Sequence, residues 1–359
     1  MTTPAATRTV VPAAHSAGAA ADGTIRYQGC TFRAVDEQGS GGSLRDVFLV
    51  RAPAYLGWYL REGDAARPSL AQARSAIATH MPELRPIYED LCRTVVEGDP
   101  TASRMLSFWR PPASMVSCSQ GVWREGDSGP LLVRNYDYAA DLIDGIILRS
   151  AFRDRVVVGT TDGVWGLCDG MNDEGLAISL TFGGRAVVGE GFGMPLVIRY
   201  LLETCDDVQQ AKSALERLPY SQAYNLTLTD PTSDVVTAYL GPDRAPSYRR
   251  LPVATNHQWA LESSDPGLAA SSLEREWWLL RLLDDPDVDG QCFSDWFLSA
   301  PLYSYAHPER VGTVYTASYE PRAGVVTHRW PGQDWVQTLD AFEEDERIST
   351  FVDLDVVPT

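Results

Sequence analysis

The sequence predicts an α+β fold. Short strand-like runs are joined by Gly- and Asp-containing turns, most clearly from Val116 to Tyr138 and from Tyr224 to Leu240. Helical spacing of apolar residues occupies other stretches, notably 69–96, 195–218 and the segment opening at Ser271. The chain is 44% hydrophobic, with 10 Trp, 15 Tyr and 10 Phe, which is ample for a sizeable core.

The 359 residues allow one large domain or two. A net charge of -18 makes a nucleic-acid backbone or an anionic membrane a poor partner. No apolar run approaches the length of a membrane helix. The six cysteines, at 30, 92, 118, 168, 205 and 292, form neither a C-x-x-C pair nor the Cys/His spacing of a zinc site. Free thiols in a cytoplasmic protein are the simplest reading, and no metal or cofactor is called for. Lys212 is the only lysine. Met1 to Gly23 is rich in Ala, Thr and Pro without the apolar core of a signal peptide, and reads as a flexible tail.

In chain order, Ile25 to Val35 and Arg45 to Arg51 read as strands. Cys30 is a strand cysteine. From Ser69 to Val96, Leu70, Ala73, Ile77, Leu84, Ile87, Leu91 and Val95 recur at helical spacing, with a break at Pro82. Residues 24–117 contain no catalytic constellation of their own.

The segment 116–138 reads as a β-hairpin turning at Gly126-Asp127-Ser128-Gly129. Its two ends bring Cys118 close to Arg134 and Asp137. A thiol nucleophile needs such a setting, because a cation lowers its pKa and a carboxylate orients the group that takes its proton. A core cysteine beside a surface ion pair would fit the segment equally well.

Strands follow at 146–148, 155–160 and 164–168, then a turn at Asn172-Asp173-Glu174-Gly175 that leads into a further strand. Gly183 to Gly193 is glycine-rich, and reads either as a mobile lid or as a plain surface loop. Helices at 195–202 and 208–218 are linked through Asp206 and Asp207, one of which is the N-cap. A strand ends at Thr255-Asn256-His257. Sheet follows at 313–319, 324–329 and 337–341.

Cys118, followed sixteen residues later by Arg134-Asn135-Tyr136-Asp137, resembles the signature of amide hydrolases with an N-terminal cysteine nucleophile. These are the choloylglycine hydrolases, penicillin V acylases and the isopenicillin N acyltransferase family. The resemblance implies a four-layer αββα sandwich with Cys118 as nucleophile and Arg134 and Asp137 beside it. The 117 preceding residues are similar to the long pre-segment of the acyltransferase branch, which the protein cuts off itself and retains. That implies cleavage between Ser117 and Cys118, a pre-segment at 24–117 and a catalytic chain at 118–359. Ser117 departs from the Gly common at that place.

The phrase Gly170-Met171-Asn172-Asp173-Glu174-Gly175-Leu176 also resembles the family. It aligns Thr181 with an oxyanion-binding Asn of choloylglycine hydrolases; a plain β-branched strand residue is the alternative. By the same resemblance Asn256 is the second oxyanion donor. Arg275, in a helix opening Ser271-Ser272, points into the site, unless it is an ordinary exposed helix arginine. Tyr136 and Phe182 would line an acyl pocket.

The implied chemistry is attack by the Cys118 thiol on a linear amide or acyl thioester, with the freed α-amine as base, held by Asp137. The substrate is a small molecule. Two alternatives remain at this stage: an unprocessed, non-catalytic binding protein of the same fold, and a papain-like pair of Cys118 with His257.

Overall fold

The computed structural model describes residues 26–37, 42–113, 117–125, 128–140, 142–259, 262, 266–304 and 312–353. The predicted tail at 1–23 and the turn residues Gly126 and Asp127 lie outside them.

The described residues open with β1 (Arg26–Glu37), followed by α1 (Gly42–Tyr59), α2 (Leu70–His80), α3 (Arg85–Thr94) and α4 (Pro100–Leu106). Ser69 starts α2 with a capping box shared with Gln72, which satisfies two backbone donors that would otherwise be orphaned. Asp99 caps α4 in the same spirit. Then come β2 (Ser117–Trp123), β3 (Leu131–Tyr138), β4 (Ile146–Ser150), β5 (Val157–Asp162), β6 (Gly166–Asn172) and β7 (Ala177–Phe182). Helices α5 (Met194–Thr204) and α6 (Val208–Leu215) follow, with Asp207 as the N-cap of α6. The chain continues through β8 (Tyr224–Thr229), β9 (Val235–Leu240), β10 (Ser247–Arg249), β11 (Val253–Ala254), α7 (Pro266–Asp284) and α8 (Gly290–Trp296). It ends with β12 (Gly312–Glu320), β13 (Val325–Trp330), β14 (Gln333–Thr338) and β15 (Glu346–Asp353).

The strands form two sheets: a nine-stranded one, β10-β9-β8-β7-β6-β5-β4-β1-β15, and a six-stranded one, β11-β2-β3-β12-β13-β14. They pack face to face through β2 and β3 against β7 and β8. Helix α5 covers the outer face of β5–β7, and α7 covers β2 and β11. The result is the four-layer αββα arrangement. The main core lies between the sheets and under α5. A second cluster (Trp123, Val133, Leu279, Phe293, Phe297) sits between the six-stranded sheet and α7–α8. Gly121 makes that closeness possible, since a Cβ there would stand 2.8 Å from Phe293 Cζ.

One expectation changes. Residues 45–51 are not a strand but part of α1. Leu44, Val47 and Phe48 are buried at helical spacing, while Leu49 and Val50 face solvent. The glycine-rich segment 183–193 is bound by backbone hydrogen bonds to residues 219–223. Gly183 N–H donates to the Ala223 carbonyl, Gly189 N–H to Ser221 and Phe192 N–H to Pro219. Its glycines serve close approach: Gly184 has φ +77°, and a Cβ on it would lie 2.5 Å from the Asn256 carbonyl.

Candidate active site

Strand alternation divides the site between two faces of the hairpin. In the β2–β3 ladder Cys118 pairs with Tyr136 and Ser117 with Asp137. Cys118, Arg134 and Tyr136 therefore point between the sheets, and Ser117, Ser119 and Asp137 point toward α7.

On the inner face, Arg134 Nη2 donates to Cys118 Sγ at 3.0 Å. Its Nη1 donates to Asp169 Oδ2 at 2.7 Å and to the Cys168 carbonyl at 3.1 Å. The guanidinium lies 4.7 Å from the Tyr136 ring centroid. Arg134 and Asp169 are both fully buried, and their ion pair joins the two sheets. Asp169 also accepts from Thr160 at 2.8 Å, from Tyr315 at 2.6 Å and from Tyr319. Thr160 in turn meets His328 Nε2 at 2.9 Å.

Burial pushes the Cys118 thiol up to about 11, with Arg134 the main opposing pull. Burial also works against the Asp169 carboxylate. Arg134, His328, Tyr315 and Tyr319 outweigh it and hold Asp169 below its ordinary value.

On the outer face, Arg275 gathers the main chain around the Ser117–Cys118 bond. Its Nη1 donates to the Cys118 carbonyl at 2.6 Å and to Ser119 Oγ at 2.7 Å. Its Nη2 donates to Asn256 Oδ1 at 2.8 Å and Ser117 Oγ at 3.2 Å. Asn256 Oδ1 also accepts the Cys118 backbone N–H at 3.0 Å. Asp137 accepts from Thr313 at 2.7 Å and lies 3.8 Å from Arg275. Burial raises its carboxyl above the ordinary value, against the pull of Arg275, Thr313 and Arg134.

A thiol, its arginine, a buried carboxylate and a polar clamp on one peptide bond thus converge. Residues 123–335, more than half of the chain, match the family model of acyl-coenzyme A:6-aminopenicillanic acid acyl-transferase. The chain belongs to that family. Arg134, Asp137, Asn256 and Arg275 fall inside the span matched by the acyl-transferase family, and Cys118 lies just before it.

Among solved structures, the chain is similar to a mutant of conjugated bile acid hydrolase from Clostridium perfringens, at 12% identity and TM-score 0.45, over 64% of this chain and 96% of that one. It is also similar to penicillin V acylase from Agrobacterium tumefaciens, at 13% identity and TM-score 0.39, over 62% and 86%. A third is the Caenorhabditis elegans ortholog of N-acylethanolamine-hydrolyzing acid amidase, at 15% and 0.43, over 65% and 100%. Curated proteins give no match.

For this member of the acyl-transferase family, the remaining sequence-predicted residues divide. Tyr136 lines a cavity together with Tyr138, Cys168, Leu180 and Tyr224. Phe182 does not reach it; its ring stands edge-on behind Tyr224, centroids 6.3 Å apart. Leu180, two residues earlier on the same strand face, is the lining residue.

The Thr181 hydroxyl donates to the Thr255 carbonyl at 2.9 Å and accepts from Asn225. The Asn256 amide nitrogen donates to the Phe182 carbonyl at 3.3 Å, so that its oxygen faces Cys118. Both predicted oxyanion donors are engaged with backbone carbonyls. His257 makes no pair with Cys118, because Nδ1 meets Ser272 Oγ at 2.8 Å and Nε2 lies 3.3 Å from Glu276.

Asp169, Tyr315, Tyr319 and His328 were not singled out from the sequence. The available signal was a carboxylate in the middle of an apolar strand, Leu167-Cys168-Asp169-Gly170-Met171. Among the described residues no group of three or more His, Cys, Asp or Glu could hold a metal ion, and no helix is long and apolar enough to cross a membrane.

Proposed function

We propose that the chain is a self-activating cysteine amide hydrolase or acyltransferase that works through an acyl-Cys118 intermediate. The observation that carries this is the double hold on one residue. Arg134 meets the Cys118 sulfur at 3.0 Å, while Asn256 meets the Cys118 nitrogen at 3.0 Å. A plain core cysteine needs neither contact.

In the intact chain the thiol is buried and protonated. Activation begins when Cys118 Sγ attacks the Ser117 carbonyl carbon. A C–S bond forms, the Ser117–Cys118 C–N bond breaks, and the thiol proton passes to the departing nitrogen. Water then hydrolyses the thioester, freeing the Ser117 carboxylate, the thiol and a new α-amine. The cut divides the 359 residues into chains of 117 and 242. They stay associated, because β1 of the pre-segment lies inside the nine-stranded sheet, hydrogen-bonded to β4 and β15.

In the activated enzyme the α-amine, with a reference pKa of about 8, takes the thiol proton. Asn256 Oδ1 and the buried carboxylate of Asp137 suit a cationic amine at that place, and Arg134 favours the thiolate. The thiolate attacks the amide or thioester carbonyl, and the leaving amine or thiol takes the proton. Water or an acceptor amine then removes the acyl group. For Asn256 to serve the oxyanion, its amide nitrogen must leave the Phe182 carbonyl after the cut.

The complete burial of Cys118 in the intact chain favours a second reading, an unprocessed binding protein of the same fold. Intact mass, measured beside Cys118→Ala, decides between the two. Activation predicts two wild-type chains with Cys118 at a new N-terminus, and a whole mutant. A wild type that remains at 359 residues removes the α-amine and with it this mechanism.

A further inference from the structure

The cavity beside the hairpin carries more polar information than an acyl pocket requires. Its walls come from both sides of the cleavage point: Tyr55 and Trp58 of α1 and Phe108 on one side, Tyr136, Tyr138 and Tyr224 on the other. Three charged residues join them, Arg51, Asp144 and Asp162.

Asp144 is used structurally. Its carboxylate accepts from the Tyr55 hydroxyl at 2.7 Å, the Thr161 hydroxyl at 3.0 Å and the Val164 N–H at 3.2 Å. It thereby fixes the turn after β5, where Gly163 and Val164 have φ of 65° and 80°. Arg51 reaches the Asp144 carbonyl at 3.4 Å. Asp162 differs: among the described residues its side chain accepts no hydrogen bond and forms no ion pair. A carboxylate on an aromatic wall with no partner loses solvation that nothing in the protein returns. Burial first, and Asp144 second, push it up to about 7.

We propose that this cavity binds the cationic nitrogen of a substrate, a protonated amine or a quaternary ammonium, with Asp162 as its counter-charge and the surrounding aromatic rings as its cage. Ring faces attract cations, and the carboxylate supplies the charge that an apolar acyl chain would not need. The assignment rests on the proposed function, in that the substrate of Cys118 occupies this cavity. Tyr136 in its wall stands directly across the ladder from Cys118. The groups around Asp162 that carry or gain charge are Asp144, Arg51, Tyr55, Tyr136, Tyr138, Tyr224 and Cys168.

The test is calorimetric binding to full-length Cys118→Ala, which can neither cleave itself nor turn over. Its result therefore stands apart from the fate of the catalytic reading. The probes at pH 8 are phenethylammonium, neutral phenethyl alcohol and anionic phenylacetate. The ammonium is expected to bind about 10-fold or more tightly than the alcohol. Asp162→Asn in the same background should erase that margin and leave alcohol binding within about 2-fold. Within the Cys118→Ala protein the margin should also shrink from pH 8 to pH 6 as Asp162 takes a proton, which checks the idea without the second substitution. Equal binding of ammonium and alcohol, tighter binding of phenylacetate, or a margin indifferent to both pH and Asp162→Asn would overturn it.

Discussion

Asp169→Asn is the sharpest probe of the buried charge chain. Asp169 takes four donors, from Arg134, Thr160, Tyr315 and Tyr319, in a region without solvent. The amide keeps the volume but removes the charge, and its NH₂ group faces donors. Arg134 is then left as a buried cation with a thiol and the Cys168 carbonyl as neighbours. Breaking a buried ion pair from one side typically costs about 3–5 kcal/mol. With an unfolding entropy of about 2.1 cal/mol/K per residue over 359 residues, each kcal/mol is worth roughly 1.3 °C, and the melting temperature should fall by about 4–7 °C.

The same change should make Cys118 more acidic, because Arg134 loses its competing anion. The assay is thermal unfolding together with the pH dependence of Cys118 alkylation, each referred to Cys118→Ala to remove the other thiols. The linkage has a definite sign. A carboxylate whose folded value is depressed stabilises above its unfolded value, and that contribution disappears as pH falls through the folded one. The wild type should therefore lose its advantage over Asp169→Asn in acid. A melting temperature within 1 °C of wild type, with an unmoved alkylation profile, would refute the claim that Asp169 holds Arg134.

Three other perturbations follow from the same geometry. Thr181→Val should cost only about 0.5–1.5 kcal/mol of stability, because the Thr255 carbonyl keeps the Asn225 amide and that amide keeps the Thr255 and His257 carbonyls, and it should lower kcat by less than 10-fold; a loss of about 10²–10³ would identify Thr181 as an oxyanion donor after all. His328→Gln tests a histidine that burial pushes down to about 4. The unfolded chain binds that proton from pH 6.5 downward and the folded one does not. The wild type should lose up to about 3 kcal/mol between pH 6.5 and 4 on this account, and the variant's denaturation slope over that range should be flatter. Gly184→Ala combines a left-handed backbone with a Cβ 2.5 Å from the Asn256 carbonyl, so mass spectrometry should find self-cleavage slowed even where circular dichroism finds the protein folded.

The hairpin β2–β3 was legible because alternation and a Gly-containing turn are local signals, and period 2 fixes which residues share a face. The resemblance named Arg134, Asp137, Asn256 and Arg275, and the fold brings all four to Cys118. Asp169 was not legible in the same way. Its partners at 134, 160, 315 and 319 come from three strands of two sheets, β3, β5 and β12, and meet only after the sheets pack.

Residues 45–51 misled because Val47-Phe48-Leu49-Val50 is an unbroken apolar run. Its helical period emerges only with Leu44, one turn earlier. The glycines of 183–193 suggested mobility, whereas the fold uses them to let two backbones touch. Phe182 and Leu180 lie on the same strand face, so pattern alone could not say which one meets the cavity.

The position of β1 has a consequence for how this gene product can be divided. Among the described residues β15 pairs only with β1, and β1 is the bridge that carries it onto β4. β1 and β15 are thus each other's scaffold. A break before Cys118 would be a nick in a closed weave rather than the release of a leader. Two open reading frames meeting at that point could supply one working molecule by fragment complementation, while removal of residues 26–37 would strip β15 of its seat.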